Sequence, residues 1–286
     1  MAGWLIDNGF NFLPQIVAGL AGLFALVAIL ARRAWALVIA AALVVALTTG
    51  LVLTKRDLVS APGGEGGGVR VMTANLLFSN RDTAAVAAAL RSLKPDLVAV
   101  QERDRFWVGA LGDLLADDYR LVSESASGTT ALYGKTAVPI CATPTFRSSV
   151  PDRVAAGCVE IDGRPTLVLA VHAPRPTRPL EGAERTATFI RYRALIAEAG
   201  LLAIVAGDHN ASPLSPAFRR YLGETGLSLP REPGLWFAAT WPSRLPQIGI
   251  RIDHVLTTPG LSTRFVATGP QIGSNHLPLT VDVGVR

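Results

Sequence analysis

VRVMTANLL, residues 69–77, opens the part of the chain that decides the fold. It is rich in apolar residues, reads as a strand, and closes on the polar Asn75. DTAAVAAALRSL, residues 82–93, reads as a helix, and DLVAVQE, residues 96–102, as a second strand ending in Glu102. Together they predict a β-α-β unit.

Working outward toward the C-terminus, ALYGKTAVPI (131–140), VEID (159–162), TLVLAVHA (166–173), LAIVAGDHN (202–210), RIDHVLTT (251–258) and LPLTVDV (277–283) supply further strands. ATFIRYRALIAEA, residues 187–199, is the clearest later helix. Strands that outnumber helices, with polar residues gathered at strand ends, predict two sheets packed face to face and flanked by helices, with a site at one rim.

Toward the N-terminus the composition changes. Residues 12–31 and 34–53 are nearly free of charge, and only Arg32 and Arg33 separate them. Each stretch is about 20 residues, roughly 30 Å as a helix, the thickness of a bilayer core. A cleaved signal peptide begins with a basic segment, whereas here Asp7 precedes the first apolar run and no Lys or Arg does. The sequence therefore predicts a retained transmembrane hairpin within residues 1–54. Residues 55–68 end in APGGEGGG and read as a tether. Residues 69–286 form the expected catalytic domain, long enough for one well-buried core.

The chain carries a formal charge of +5. So mild an excess leaves no electrostatic footprint for a nucleic-acid duplex and suits a small anionic substrate or a lipid surface. Cys141 and Cys158 fall on successive predicted strands. A disulfide and two buried free thiols both remain open from the sequence, because register is not fixed by it.

All four histidines, His172, His209, His254 and His276, lie at or just past predicted strand ends, beside Asn75, Glu102, Asp208, Asn210, Asp253 and Asn275. Singly, each has an ordinary reading as a turn residue or local hydrogen-bond partner. Jointly, carboxylates and amides in such numbers suit a hard, oxygen-preferring cation, Mg2+ or Mn2+. No Cys/His spacing matches a structural zinc. Arg175 and Arg178, with Arg185, sit in a proline-rich loop and are candidates to hold an anionic group, as is Lys135.

The ordered segments TANLL, DLVAVQE, VHAPRP, VAGDHNAS, TWPSRLP, RIDHVL and GSNHLPLTVD resemble the signature segments of the endonuclease/exonuclease/phosphatase family and span nearly all of residues 69–286. The resemblance implies an α/β/β/α four-layer sandwich and hydrolysis of phosphate esters with a divalent metal. It implies Glu102 as the principal metal ligand with Asn75 beside it, and Asp208 as the residue that positions or deprotonates the attacking water. Asn210 and His172 would bind phosphate oxygens, Asp253 would support a phosphate-binding histidine or the leaving group, and His276 would contact the scissile phosphate.

Two positions depart from the family pattern. Asn275 stands where the family's Ser-Asp-His motif has an acid that would bind metal or raise the histidine's pKa. A tolerated variant, a weakened enzyme and a non-catalytic binder all remain open. His209 stands where Phe is common, and either contacts substrate or packs beside the turn. Trp241 of TWPSRLP joins the candidates on the substrate side. His254 is expected to be structural.

Fold membership does not choose a substrate. The hairpin favours a lipid, lipid-linked or envelope-associated phosphate ester, with a surface nuclease and a binding or scaffold protein as the competing readings. Arg32 and Arg33 balance Lys55 and Arg56 under the positive-inside rule, and the cysteine pair tips the expected catalytic domain to the extracytoplasmic side.

Overall fold

The computed structural model describes residues 2–32, 34–59, 68–233 and 237–286. Most of the expected tether, residues 60–67, lies outside them.

Three helices open the chain: α1 (Ala2–Asn11), α2 (Leu13–Ala31) and α3 (Ala34–Leu58). α2 and α3 are long and apolar enough to cross a membrane, and they pack on each other. Leu20, Leu23, Ile29, Leu30, Val38 and Val45 face outward, where a helix of a soluble core would bury them. α3 runs five residues past the expected end at residue 53. The charged Lys55, Arg56 and Asp57 continue it because they have good to fair helix propensity and no proline or glycine intervenes before Leu58. Leu58 O accepts from Leu229 N at 2.8 Å, and Lys55 reaches Glu232, so the end of the hairpin meets the following domain. Its beginning does too: Gln15 donates to Ile248 O and Gly249 O.

The remaining chain forms β1 (Val69–Asn75), α4 (Thr83–Leu93), β2 (Leu97–Gln101), α5 (Arg105–Leu115), β3 (Tyr119–Glu124), β4 (Ala131–Lys135), β5 (Ile140–Cys141), β6 (Val154–Ile161), β7 (Arg164–His172), α6 (Pro179–Ala199), β8 (Leu202–Asp208), α7 (Pro216–Thr225), β9 (Asp253–Thr257), β10 (Leu261–Thr268) and β11 (Leu279–Val285). The first sheet has the order β10-β11-β1-β2-β4-β3 and the second β5-β6-β7-β8-β9. ALYGKTAVPI is not one strand. It breaks after Lys135 into β4 of the first sheet and β5 of the second, because a turn at Thr136 and Ala137 carries the chain between layers.

Three apolar clusters define four layers. Val71, Leu97, Leu132, Val168, Ile204 and Val281 fill the space between the sheets. Trp107, Leu111, Val86 and Ala89 bring α5 and α4 onto the outer face of the first sheet. Phe189, Tyr192, Leu195 and Phe218 bring α6 and α7 onto the outer face of the second. Each strand between two apolar layers must be apolar on both faces, which is why β2 and β8 read as continuous hydrophobic runs. The expected α/β/β/α sandwich is therefore observed.

Helix starts follow local chemistry. Asp82 accepts from Ala85 N and Asp104 from Trp107 N, satisfying donors that the first turn leaves unpaired. Cys141 and Cys158 are directly opposed in the β5–β6 ladder and form a disulfide that ties the two-residue edge strand to its neighbour.

Candidate functional site

Sheet polarity gathers the polar strand ends. β1 and β2 are parallel, so Asn75 and Glu102 emerge at the same rim. β7 and β8 are parallel and β9 is antiparallel to β8, which sets His172 beside Asp208 and Asp208 beside Asp253. Packing of the two sheets brings these rows together.

Asn75 joins them. Its Nδ2 donates to Glu102 Oε1 and to Asp208 Oδ2, both at 3.1 Å, while its Oδ1 accepts from Leu77 N. Glu102 Oε2 accepts from Phe78 N at 3.1 Å. Asp208 Oδ1 accepts from Asn210 N at 2.8 Å, and Asn210 Nδ2 donates to Ala173 O at 2.9 Å. His172 Nε2 lies 3.7 Å from Asp208 Oδ2 and 4.0 Å from Glu102 Oε1. His276 Nδ1 lies 2.9 Å from Asp253 Oδ2, and its Nε2 is 3.9 Å from Asp208 Oδ2. Glu102 and Asn210 adopt left-handed backbone conformations, φ 54° and 49°. Such strain in non-glycine residues collects at functional sites.

Burial and charge separate the two histidines. Burial pushes His172 down to about 4, against the pull of Glu102, so it is a neutral imidazole. Burial also opposes charge on His276, but Asp253 overcomes it and raises the group to about 9, so it is an imidazolium at neutral pH. Asp208 is pushed up to about 7, first by burial and then by Asp253, with His276 and the Asn75 and Asn210 hydrogen bonds acting the other way. A group poised there is suited to take and return a proton near neutrality.

The donor set fits a hard divalent cation. Glu102 and Asp208 are buried carboxylates separated by one amide, and Asp253 Oδ1 and Asn275 Oδ1 are buried oxygens with no hydrogen-bond partner among the described residues. Ligand atoms of Asp208, Asp253 and His276 also lie within 4.8 Å of one another.

Other expected residues fall differently. Arg175 stands at the mouth, 59% exposed, with its guanidinium 3.9 Å from Glu102 Oε1. Arg178 is exposed and its backbone caps α6 through Glu181, away from the acids. Lys135 is at the wrong end of the first sheet: β4 runs antiparallel to β2, so Lys135 pairs with Asp96, before the strand whose far end carries Glu102. His209 is fully buried, ringed by Phe189, Tyr192, Phe218, Tyr221 and His254, and has no face to offer a substrate. His254 Nε2 donates to Ala211 O at 2.9 Å, and the ring stacks on Phe218. Arg185 is buried in an ion pair with Asp7 and does not line the mouth of the site. Trp241 is half-buried, and its backbone exchanges hydrogen bonds with Ile250. Two residues on, Ser243 N donates to Asn275 O and Ser243 Oγ to Ser274 O, fixing the loop that carries His276.

Sequence reasoning missed Thr240, whose Oγ1 accepts from Ile252 N and Asp253 N and so holds Asp253 in place. The same holds for Asp7, which in the sequence is only an acid before a hydrophobic run and in the structure meets Arg185 and Ser215. A buried threonine that accepts from two backbone amides leaves no mark in composition or spacing.

Residues 72–276 match the family model described as Endonuclease/Exonuclease/phosphatase family. No curated protein sequence matches the chain. Among solved structures, an endonuclease/exonuclease/phosphatase from Bacteroides vulgatus is similar with a TM-score of 0.62 at 15% identity, covering 77% of this chain and 100% of the other. The mannosyl-6-phosphatase of Bacteroides thetaiotaomicron is similar with a TM-score of 0.61 at 16% identity, covering 76% and 99%. The human Nocturnin catalytic domain gives 0.60 at 17% identity, covering 77% and 95%.

Proposed function

The chain belongs to the endonuclease/exonuclease/phosphatase family and is a phosphoric ester hydrolase, and from that premise we propose that it is membrane-anchored and hydrolyses a phosphate ester of a lipid, lipid-linked or envelope-associated molecule with Mg2+ or Mn2+. The observation that carries the reading is the position of the hairpin. Trp4 Nε1 and Asn8 Nδ2 both donate to Pro176 O, on the loop that bears His172 and Arg175, so the entry to the apolar helices lies next to the mouth of the site.

In this reading Glu102 would be the principal residue to hold the cation, with Asn75, which bridges Glu102 and Asp208, and Asn275 as the further residues of that set. The bound cation would supply positive charge to the phosphate oxygens. Asp208 orients the attacking water and takes its proton. His172, neutral with Nε2 turned to the acids, donates a hydrogen bond to one phosphate oxygen, and the Asn210 amide serves another. His276 brings a positive charge toward the scissile group, where negative charge builds up in the transition state. Its Nδ1 is committed to Asp253, which argues for the pair as a fixed donor and against a second cation on that nitrogen.

α2 and α3 as two spans put both ends of the hairpin on one side, in keeping with Gln15 and Leu58 both touching the catalytic domain. The Cys141–Cys158 disulfide favours an extracytoplasmic face, since a reducing cytoplasm would not sustain it. Labelling with an impermeant reagent of a cysteine introduced in the exposed Asp162–Gly163 turn, in intact against lysed cells, tests the orientation.

The substrate is tested by comparing cation-dependent phosphate or headgroup release from phospholipid and polyprenyl-phosphate vesicles with cleavage of plasmid DNA. Release from vesicles with slow DNA cleavage is expected. Rapid DNA cleavage with inert lipids would replace the lipid reading with a surface nuclease. No activity in either, unchanged by Glu102→Ala, would leave a binding protein on the same fold.

A further inference from the structure

α1 carries Asp7, Asn8 and Asn11, and each ends on a loop that bears a site residue. Asn8 with Trp4 holds Pro176 O, four residues after His172. Asn11 Oδ1 accepts from Ser212 N at 2.8 Å, two residues after Asn210. Asp7 Oδ1 accepts from Ser215 Oγ at 2.6 Å and from Ala217 N at 2.9 Å, at the start of α7. Asp7 Oδ2 meets the guanidinium of Arg185, and another nitrogen of the same guanidinium donates to Asn210 O.

This is a built seat and not a surface contact. Arg185 is 1% exposed and Asp7 7%. Gly182 leaves the room for Trp4, because a Cβ there would lie 2.6 Å from Trp4 Cδ1. The guanidinium stays charged at any ordinary pH, so its burial depends on the Asp7 carboxylate. Asn210 in turn depends on Arg185: its left-handed backbone persists only where its surroundings over-determine it.

We propose that Asp7 is a positioning residue of the phosphoester site, which through Arg185 fixes the Asn210 carbonyl and so makes the amino-terminal helix a working part of the catalytic centre. This rests on the reading above that Asn210 serves the phosphate. The helix thus ties two site loops to the first turn of the hairpin, and the geometry of the centre depends on a segment far outside residues 72–276 that match the family. Small displacements of a group that orients a phosphate cost rate more than binding.

The test uses the full chain in detergent micelles with Mn2+ and bis(p-nitrophenyl) phosphate. Asp7→Asn keeps the shape and an acceptor for Ser215 while removing the charge that Arg185 needs. The expected result is a kcat lowered about tenfold or more, a KM within about threefold, and partial recovery in Asp7→Glu. Amide hydrogen exchange gives a readout that needs no turnover. In the native chain the amides of Ser212 and Ala217 should be protected like those of β8, and in Asp7→Asn residues 210–217 should exchange faster while β4 does not change. A folded Asp7→Asn with native kcat overturns the proposal, as do Ser212 and Ala217 amides that exchange freely in the native chain. Should Asp7→Asn not fold, Asp7→Glu takes its place: faster exchange at 210–217 with lowered kcat supports the proposal, and faster exchange with native kcat overturns it. Absence of turnover in the native chain on every phosphoester would instead fall on the proposed function and leave the exchange result standing.

Discussion

His276 Nδ1 sits 2.9 Å from Asp253 Oδ2, and this one buried contact reverses the effect of burial on the histidine. Burial alone favours the neutral ring; the carboxylate makes it an imidazolium up to about pH 9. His209 and His254, equally buried but bonded to backbone carbonyls, are driven the other way.

A pH profile follows from that contact. The folded-state value of His276 is raised, so the protonated form and any rate that depends on it are present below about 9 and lost as pH rises through it. Asp253→Asn removes the largest raising partner and leaves burial against the smaller pull of Asp208 and Glu102, so the alkaline limb of kcat/KM should move down toward the usual histidine range. At about pH 7.5 the variant should keep roughly a tenth of the native rate or less. An alkaline limb that does not move would show that His276 is not the group being titrated.

Cation binding should depend on Glu102 first. Chelation is expected to abolish phosphoester hydrolysis, and Mn2+ or Mg2+ to restore it. Glu102→Gln should weaken Mn2+ binding, read by calorimetry or paramagnetic relaxation, by about tenfold or more, since it removes a buried charge from the donor set. Asp253→Asn should change Mn2+ affinity less. The reverse order would move the cation to the Asp208, Asp253 and His276 cluster.

The sandwich was legible because its strands carry their own pattern. β1, β7 and β8 are apolar runs that stop on Asn75, His172 and Asp208, β2 stops one residue before Glu102, and the antiparallel β9 begins on Asp253, so that polar strand ends mark the site. Placement across the sheets was not legible. Lys135 looks like a site lysine in the sequence and lies at the opposite end of the sheet only because β4 is antiparallel to β2. His209 has the chemistry of a ligand, and the α6 and α7 aromatic rings that enclose it come from positions up to 20 residues away on either side. Asp7 pairs with Arg185 across a separation of 178 residues, and no local signal records such a contact.

The disulfide should hold the β5 edge. It closes a loop of 17 residues on a strand that has only two ladder positions of its own. Reduction, or Cys141→Ser with Cys158→Ser, should cost up to about 3 kcal/mol by the chain-entropy estimate, read as a lower Tm. The rate should hold, because the β5 edge is two strands from β7 and its His172.

His209→Phe tests whether that ring is only packing. Burial lowers His209 to about 4, so the unfolded chain binds a proton more readily than the folded one between about 6.5 and 4. Native stability should therefore fall as pH drops through that window, by up to about 3 kcal/mol from this group. The phenylalanine variant, seated among Phe189, Phe218 and Tyr221, should lose less stability in acid and retain the native kcat. A large rise in KM would place His209 at the substrate after all.

Asn275→Asp bears on whether the amide limits the enzyme. The loop is held by its backbone, Ser243 N to Asn275 O and His276 N to Ser274 Oγ, so the exchange of amide for acid should not move His276. Asn275 Oδ1 is a buried oxygen with no partner among the described residues, and a carboxylate there would put an unpaired charge in the loop that carries His276. Without a cation the variant should melt below the native chain, because a buried carboxylate without a partner loses its hydration. With Mn2+ the deficit should close, and kcat should stay within about threefold of native. A gain of about tenfold or more would mean that the neutral amide holds the native site below its capacity, and the family's acid would then be the missing element of the centre.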